Sequence, residues 1–92
     1  MRIRWTELAA QDLTHICDYI EEHEGPGAAR RVATAICQGV DALSRFPNRG
    51  RPGRKTGTRE LVFPGFPFLA IYRVGAEIVE INRILHGAQK WP

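Results

Sequence analysis

The hydrophobic period of this chain switches from helical to alternating, and that switch limits it to folds that lay helices on a sheet. "RIRW" at the start alternates, with Ile3 and Trp5 opposed to Arg2 and Arg4, and predicts a short first strand. Thr6 is placed to cap a helix whose apolar face is Ala9, Leu13, Ile16 and Ile20, ending at Gly25. Pro26 suits the first turn of a second helix, with Ala29, Val32, Ile36, Val40 and Leu43 as its stripe until Phe46 and Pro47 stop it. Helices joined so closely form an antiparallel hairpin. Past the basic stretch the period becomes two, and "RELVF", "FLAIYRV" and "EIVEINRILH" read as three successive strands. "FPGFP" supplies one reversal, and Gly75 leading Ala76 predicts a type II′ turn for the other.

The expected fold is α+β: an N-terminal strand, a helical hairpin, then a three-stranded antiparallel meander. The helices cover one face of a mainly antiparallel four-stranded sheet. With 92 residues there is material for one core, so residues 1–92 form a single domain. Two helices cover only one face, and the other is expected to stay open.

Charge says what that face meets. Residues 1–44 carry four Lys and Arg against seven Asp and Glu, whereas residues 45–92 carry nine against three. The second half is therefore the half for an anionic partner. Eleven of the 13 cations are Arg, whose planar fork matches phosphate and carboxylate alike. The stretch "FPNRGRPGRKTGTREL" gathers Arg49, Arg51, Arg54, Lys55 and Arg59 beside glycines, and reads as a flexible basic rim next to the open face. No apolar run reaches membrane-spanning length and "MRIRWTEL" turns polar too early for a signal peptide, so a cytoplasmic location is expected. Cys17 and Cys37 lack metal-ligand spacing and read as two small core thiols; no metal and no cofactor is called for.

Phosphoryl chemistry is the reaction these residues can be asked to do. Arg59, Arg73 and Arg83 fall on the three later strands, and His86 is the natural acid or base. RNA cleavage by internal attack would use His86 for proton transfer, Arg59 and Arg83 for developing charge, and Tyr72 to stack or share a proton. Strict alternation places Arg83 and His86 on opposite faces unless a bulge intervenes, which counts against that cluster. Structural roles stand beside these: Arg73 and Arg83 pairing with Glu60, Glu77 or Glu80, and His86 as a hydrogen-bonding strand end. His15 and His23 have no ligand-spaced partner and receive no role.

Several separated segments resemble one family. "GRPG" at 50–53, "GTREL" at 57–61 and "HGAQKWP" at 86–92, with "AAQDLTHICDYIEE" and "PGAARRVATAI" upstream, resemble the ParE branch of the RelE/ParE toxins of bacterial type II toxin–antitoxin systems. The resemblance implies a helical hairpin on an antiparallel sheet, and neutralisation by a cognate antitoxin with an acidic or amphipathic C-terminal segment. It implies operator DNA contact only through that antitoxin, and no membrane partner. Its ParE-type members poison DNA gyrase; its RelE-type members cut messenger RNA on the ribosome with basic residues and a C-terminal Tyr or His. Here Arg59 matches a strand-borne arginine, but the only lysines are Lys55 and Lys90 and no Tyr follows His86. Gyrase poisoning is the expected activity, with Arg49, Arg51, Arg54, Lys55, Arg59, Arg73, Arg83, His86 and Trp91 as contacts for target or antitoxin. Charge reversal at Arg83 is expected to abolish toxicity in a folded chain. An endoribonuclease, or an inert partner serving operon autoregulation, are the alternatives.

Overall fold

A computed structural model describes residues 1–87. Strand β1 (Arg2–Trp5) leads to helices α1 (Glu7–Glu24) and α2 (Pro26–Ala42), followed by β2 (Arg51–Pro52), β3 (Arg59–Val62), β4 (Phe68–Val74) and β5 (Ile78–His86). The sheet runs β1-β5-β4-β3-β2. Only the β1–β5 pairing is parallel; the other three are antiparallel. The α+β fold is as the periodicity predicts, with β2 as a fifth, two-residue strand.

Local chemistry sets the joints. Thr6 caps α1 by accepting the Ala9 N–H on its hydroxyl, and the helix ends at Gly25, whose φ of 92° suits glycine. Pro26 then opens α2 at once. Between β3 and β4, Phe66 N–H donates to the Phe63 carbonyl across Pro64 and Gly65, and Gly65 has φ of 84°, the arrangement of a type II turn. The β4–β5 reversal departs from expectation. Gly75 is not in the positive-φ region a type II′ turn needs; its N–H donates to the Ile78 carbonyl, so the reversal falls one residue later, on Ala76 and Glu77.

The core lies between helices and sheet. Ala29, Val32, Ile36 and Val40 of α2 meet Leu61, Phe63, Ala70, Tyr72, Val79, Ile81 and Ile84. Alternation along β4 sends Ile71 to the opposite face, and Leu85 joins it there. Both are nearly fully buried, at 0% and 4% exposure, whereas Val62 on the same face is 54% exposed, so the face away from the helices is open only in part. Cys17 is half-buried, but Cys37 is exposed, because it follows Ile36 off the buried stripe. The two-core-thiol expectation holds for neither fully. No described helix is long and apolar enough to cross a membrane.

Candidate functional site

The basic stretch is built, not loose. Arg51 and Pro52 pair with Glu60 and Arg59, so β2 and β3 form a hairpin. Its loop is closed by Gly53 N–H to the Thr58 carbonyl at 2.8 Å and Thr58 N–H to the Lys55 carbonyl at 3.0 Å, with Thr58 only 4% exposed. Arg49, Arg51, Arg54 and Lys55 are all exposed on this frame. Arg51 reaches Glu60 at 3.1 Å, and Arg73 at the end of β4 makes a long contact of 3.5 Å to the Thr56 carbonyl.

Across the sheet, Glu80 sits between two bases. Glu80 is the register neighbour of Arg4 on β1 and of Arg73 on β4. Arg4 ion-pairs with it, and the Asn82 side-chain amide donates to it at 2.7 Å. The Arg4 hydrogen bond first, and then that of Asn82, hold the Glu80 carboxyl below its ordinary value. A depressed carboxyl favours the fold above the ordinary value of 4.5 and loses that contribution as pH falls through its lowered one. A Glu80→Gln chain should therefore show a shallower loss of thermal stability on acidification below about pH 4.5 than its parent; identical acid limbs would mean that the Arg4–Glu80–Arg73 row contributes nothing.

Arg59 and Tyr72 are opposite one another on β3 and β4, and both grip the segment leading into β2. The Tyr72 hydroxyl donates to the Pro47 carbonyl at 2.7 Å and accepts the Gly50 N–H at 2.8 Å. Arg59 Nη1 donates to the carbonyls of Gly50 at 2.7 Å and Asn48 at 3.3 Å. Tyr72 is 0% exposed, and burial pushes its phenol above the ordinary value. Burial leaves Tyr72 no face on which a base could stack, whereas Arg59 is half-buried and commits Nη1 to main-chain carbonyls. Their polar groups serve main-chain atoms, which a sequence pattern does not display.

Arg83 is likewise a holding residue. Its Nε and Nη2 donate to the two carboxylate oxygens of Asp12 at 2.8 and 3.0 Å, and the Ile84 N–H donates to the same carboxylate at 3.0 Å. The reason lies in the sheet: β1 covers β5 only from Ile78 to Ile81, and beyond that Asp12 of α1 takes the place of a neighbouring strand. Among the described contacts Arg83 pairs with Asp12 of α1 and not with Glu60, Glu77 or Glu80 as expected.

A register shift does occur, with Ile71 opposite Arg83 but Tyr72 opposite Ile81. It precedes Arg83, so Arg83 and His86 remain of opposite parity. His86 pairs with Phe68 and meets its ring edge-on at 5.8 Å between centroids. Phe68 lies four residues from Tyr72 along β4, which separates His86 from the Arg59–Tyr72 grip by about 13 Å. Of the four residues that RNA cleavage would require, only Arg59 and Tyr72 come together, and Arg83 and His86 lie apart from them.

His86 instead borders a groove of about 600 Å³ between the helical hairpin and the Gly65–Phe68 loop. Ile16, Ile20, Phe66 and Phe68 make its apolar floor, and His15, Glu24 and Arg31 are its other charged or titratable lining groups beside Tyr19. Tyr19 is 63% exposed, a large aromatic left in solvent. The ring of His23 stacks on it at 4.1 Å, and because a carbonyl only accepts, His23 Nδ1 donates to the Tyr19 carbonyl at 2.8 Å. Sequence reasoning gave these helix residues no part; the spacing of His15, Tyr19 and His23 by four was the available signal. Trp91 lies outside the described residues.

The family model of the ParE toxin of the type II toxin–antitoxin system, parDE, matches residues 3–91. The Sinorhizobium fredii protein Y4kP is 46% identical over 91 residues, covering 99% of this chain and 93% of that protein. Toxin RelE2 of Caulobacter vibrioides is 38% identical over 88 residues, covering 96% and 97%. Among solved structures, a chain of the chromosomal ParDE toxin–antitoxin system from P. aeruginosa superposes with a TM-score of 0.85 at 33% identity, covering 94% of this chain and 95% of that one. A chain of the toxin–antitoxin complex RelBE2 from Mycobacterium tuberculosis superposes at 0.64 with 27% identity, covering 92% and 95%.

Proposed function

Since the chain belongs to the ParE toxin family of type II toxin–antitoxin systems, we propose that it arrests growth as a binding protein that poisons DNA gyrase. The observation that supports this reading is the separation of His86 and Arg83 from the other two residues of the cleavage set: Tyr72 and Arg59 hold the Pro47–Gly50 segment, Arg83 is held by Asp12, and His86 borders a separate groove. Positioned general acid–base catalysis needs its groups within hydrogen-bond reach of one reacting centre. A binding surface needs exposed groups on a rigid frame, and the hairpin carrying Arg49, Arg51, Arg54 and Lys55 supplies one.

A cognate antitoxin silences the toxin by covering it. Two of the solved relatives come from toxin–antitoxin systems, and this chain offers an apolar groove continuous with exposed Tyr19 for an amphipathic segment. Operator DNA is met only through the antitoxin.

The test is to induce the chain without antitoxin and assay gyrase-linked double-strand breaks and message integrity in one culture. Breaks with intact messages are expected; cut messages with intact DNA would assign a ribosome-dependent endoribonuclease, and normal growth an inert partner. Arg49→Glu combined with Arg54→Glu should remove the breaks while leaving the unfolding midpoint unchanged, since both side chains are exposed. A folded double variant that still breaks DNA would take this cluster out of the target surface.

A further inference from the structure

Strand β3 has an outer edge that β2 only begins to cover. The Thr58 carbonyl accepts the Gly53 N–H across the hairpin, and the Glu60 carbonyl faces the Gly50 backbone, 2.8 Å from where a Cβ on Gly50 would stand. Main-chain polar groups alternate in direction along a strand, so those of Val62 face the same outer side. The β2 pairing stops with Arg51 opposite Glu60, and the Arg49 N–H turns away to the Phe46 carbonyl, so no described strand meets Val62 there. Beside this edge a cavity of about 360 Å³ lies between β3 and α2. Ala35 and Gly39, one turn apart on α2, join buried Leu61 and Phe63 as its floor, and exposed Arg49 and Arg51 stand with Glu60 at its mouth. Arg51 and Glu60 pair at 3.1 Å and cancel, whereas no partner among the described residues engages the Arg49 guanidinium. The mouth therefore carries one net positive charge above an apolar floor.

We propose that this cavity is a binding site for a small amphiphilic monocarboxylate, an aliphatic body bearing one carboxylate, of which a medium-chain fatty acid anion is the simplest form. The carbons fill the floor over Leu61 and Phe63, and the carboxylate takes the Arg49 guanidinium on one oxygen and the Val62 N–H on the other. The cavity lies at the small end of the range for ligand sites, which suits a body of roughly eight carbons. One uncompensated cation selects one anion: a neutral amphiphile gains nothing from Arg49, and a dicarboxylate would have to press its second charge against the floor. The site is a property of the isolated chain and stands apart from the gyrase reading. Because Arg49 also belongs to the proposed target cluster, an occupant draws one cation away from that surface.

Chain length sets the scale. Each methylene moved from water onto the floor should tighten binding about two- to fourfold, until the cavity is filled and further carbons project into solvent. The carboxylate meets an exposed guanidinium at the mouth, so it adds about fivefold and not the larger factor of a buried pair. Gly39 fixes how close the floor can come to α2, since a Cβ there would lie 2.7 Å from the Phe63 ring, whereas Ala35 leaves room that a larger side chain would take up.

The probe is a series of straight-chain carboxylates from butanoate to decanoate, kept below micelle-forming concentrations and titrated into the purified chain while main-chain amide shifts are followed by NMR. Octanoate should bind at least about tenfold more tightly than butanoate, with the shifts concentrated at Val62, Arg49–Arg51 and Ala35–Gly39. Octan-1-ol and octanedioate should each bind about fivefold or more weakly than octanoate. Arg49→Gln, a change at an exposed position, should weaken octanoate about fivefold and leave octan-1-ol unaffected. Ala35→Phe, at a half-buried helix position, should fill the cavity and remove binding of both; if that chain fails to fold, the Arg49→Gln comparison across the two ligands still decides. Absence of saturable binding, affinity indifferent to chain length, equal losses for octanoate and octan-1-ol in Arg49→Gln, or shifts centred on the groove beside Tyr19 would each overturn the proposal. Self-association of the chain in sedimentation, with the same shifts at Val62 in the absence of any acid, would assign this edge to a second copy and equally overturn it.

Discussion

An Asp12→Ala chain should be less stable than its parent by about 2–4 kcal/mol, read as a lowered urea midpoint at unchanged slope. One carboxylate satisfies three donors there: Nε and Nη2 of Arg83 and the Ile84 N–H. The side chains are 26% and 12% exposed for Arg83 and Asp12, so neither group regains full hydration when its partner is removed. Asp12→Asn keeps an oxygen for Ile84 and gives up the ion pair, and is expected to lose about half as much. Arg83→Glu brings two carboxylates together at the same point and should unfold the chain. The consequence for function is direct: loss of toxicity on charge reversal at Arg83, expected from sequence to occur in a folded protein, is instead expected to come from loss of the fold. A loss below about 0.5 kcal/mol for Asp12→Ala would place this pair with ordinary surface ion pairs and restore Arg83 as a target contact.

What the sequence displays well is whatever repeats along it. The stripe of Val32, Ile36 and Val40, the Gly25–Pro26 joint and the Pro64–Gly65 turn were all legible, because each depends on neighbours within a few residues. Strand β2 was hidden: two residues, one of them Pro52, show no alternation, and it exists because β3 offers Arg59 and Glu60 as partners. The site was less legible than the fold for the same reason. Asp12 and Arg83 stand 71 residues apart, and the partners of Tyr72 and Arg59 are carbonyls and an amide that every residue carries. An arginine on a strand looks the same in sequence whether it reaches outward to a phosphate or inward to a loop. The groove was hidden because it needs α1, α2, β5 and the Gly65–Phe68 loop at once.

The hydroxyl of Tyr72 leads to the second large effect. Tyr72→Phe strips one partner from the Pro47 carbonyl and one from the Gly50 N–H, and is expected to cost about 2–3 kcal/mol. Gly50→Ala should be at least as damaging, because a Cβ there would lie 2.7 Å from the Tyr72 ring and hydroxyl and 2.8 Å from the Glu60 carbonyl oxygen. Arg59 would still hold the Asn48 and Gly50 carbonyls, so the expected failure is local, with faster amide exchange at Gly50 and Arg51 than in the α2 core. Alkaline titration supplies a readout specific to the hydroxyl. Burial raises the Tyr72 phenol, so its contribution is complete below the ordinary value of 10.0 and lost as pH rises through the raised one. The parent should therefore lose stability above about pH 10 more steeply than the Phe variant. Because Arg49 and Arg51 flank the gripped Gly50, a loosened segment should also weaken target engagement in proportion to the exchange rate there. A Phe variant matching the parent in stability, exchange and alkaline limb would show that Arg59 alone sets the segment, and that the basic hairpin owes its shape to β3 rather than to β4.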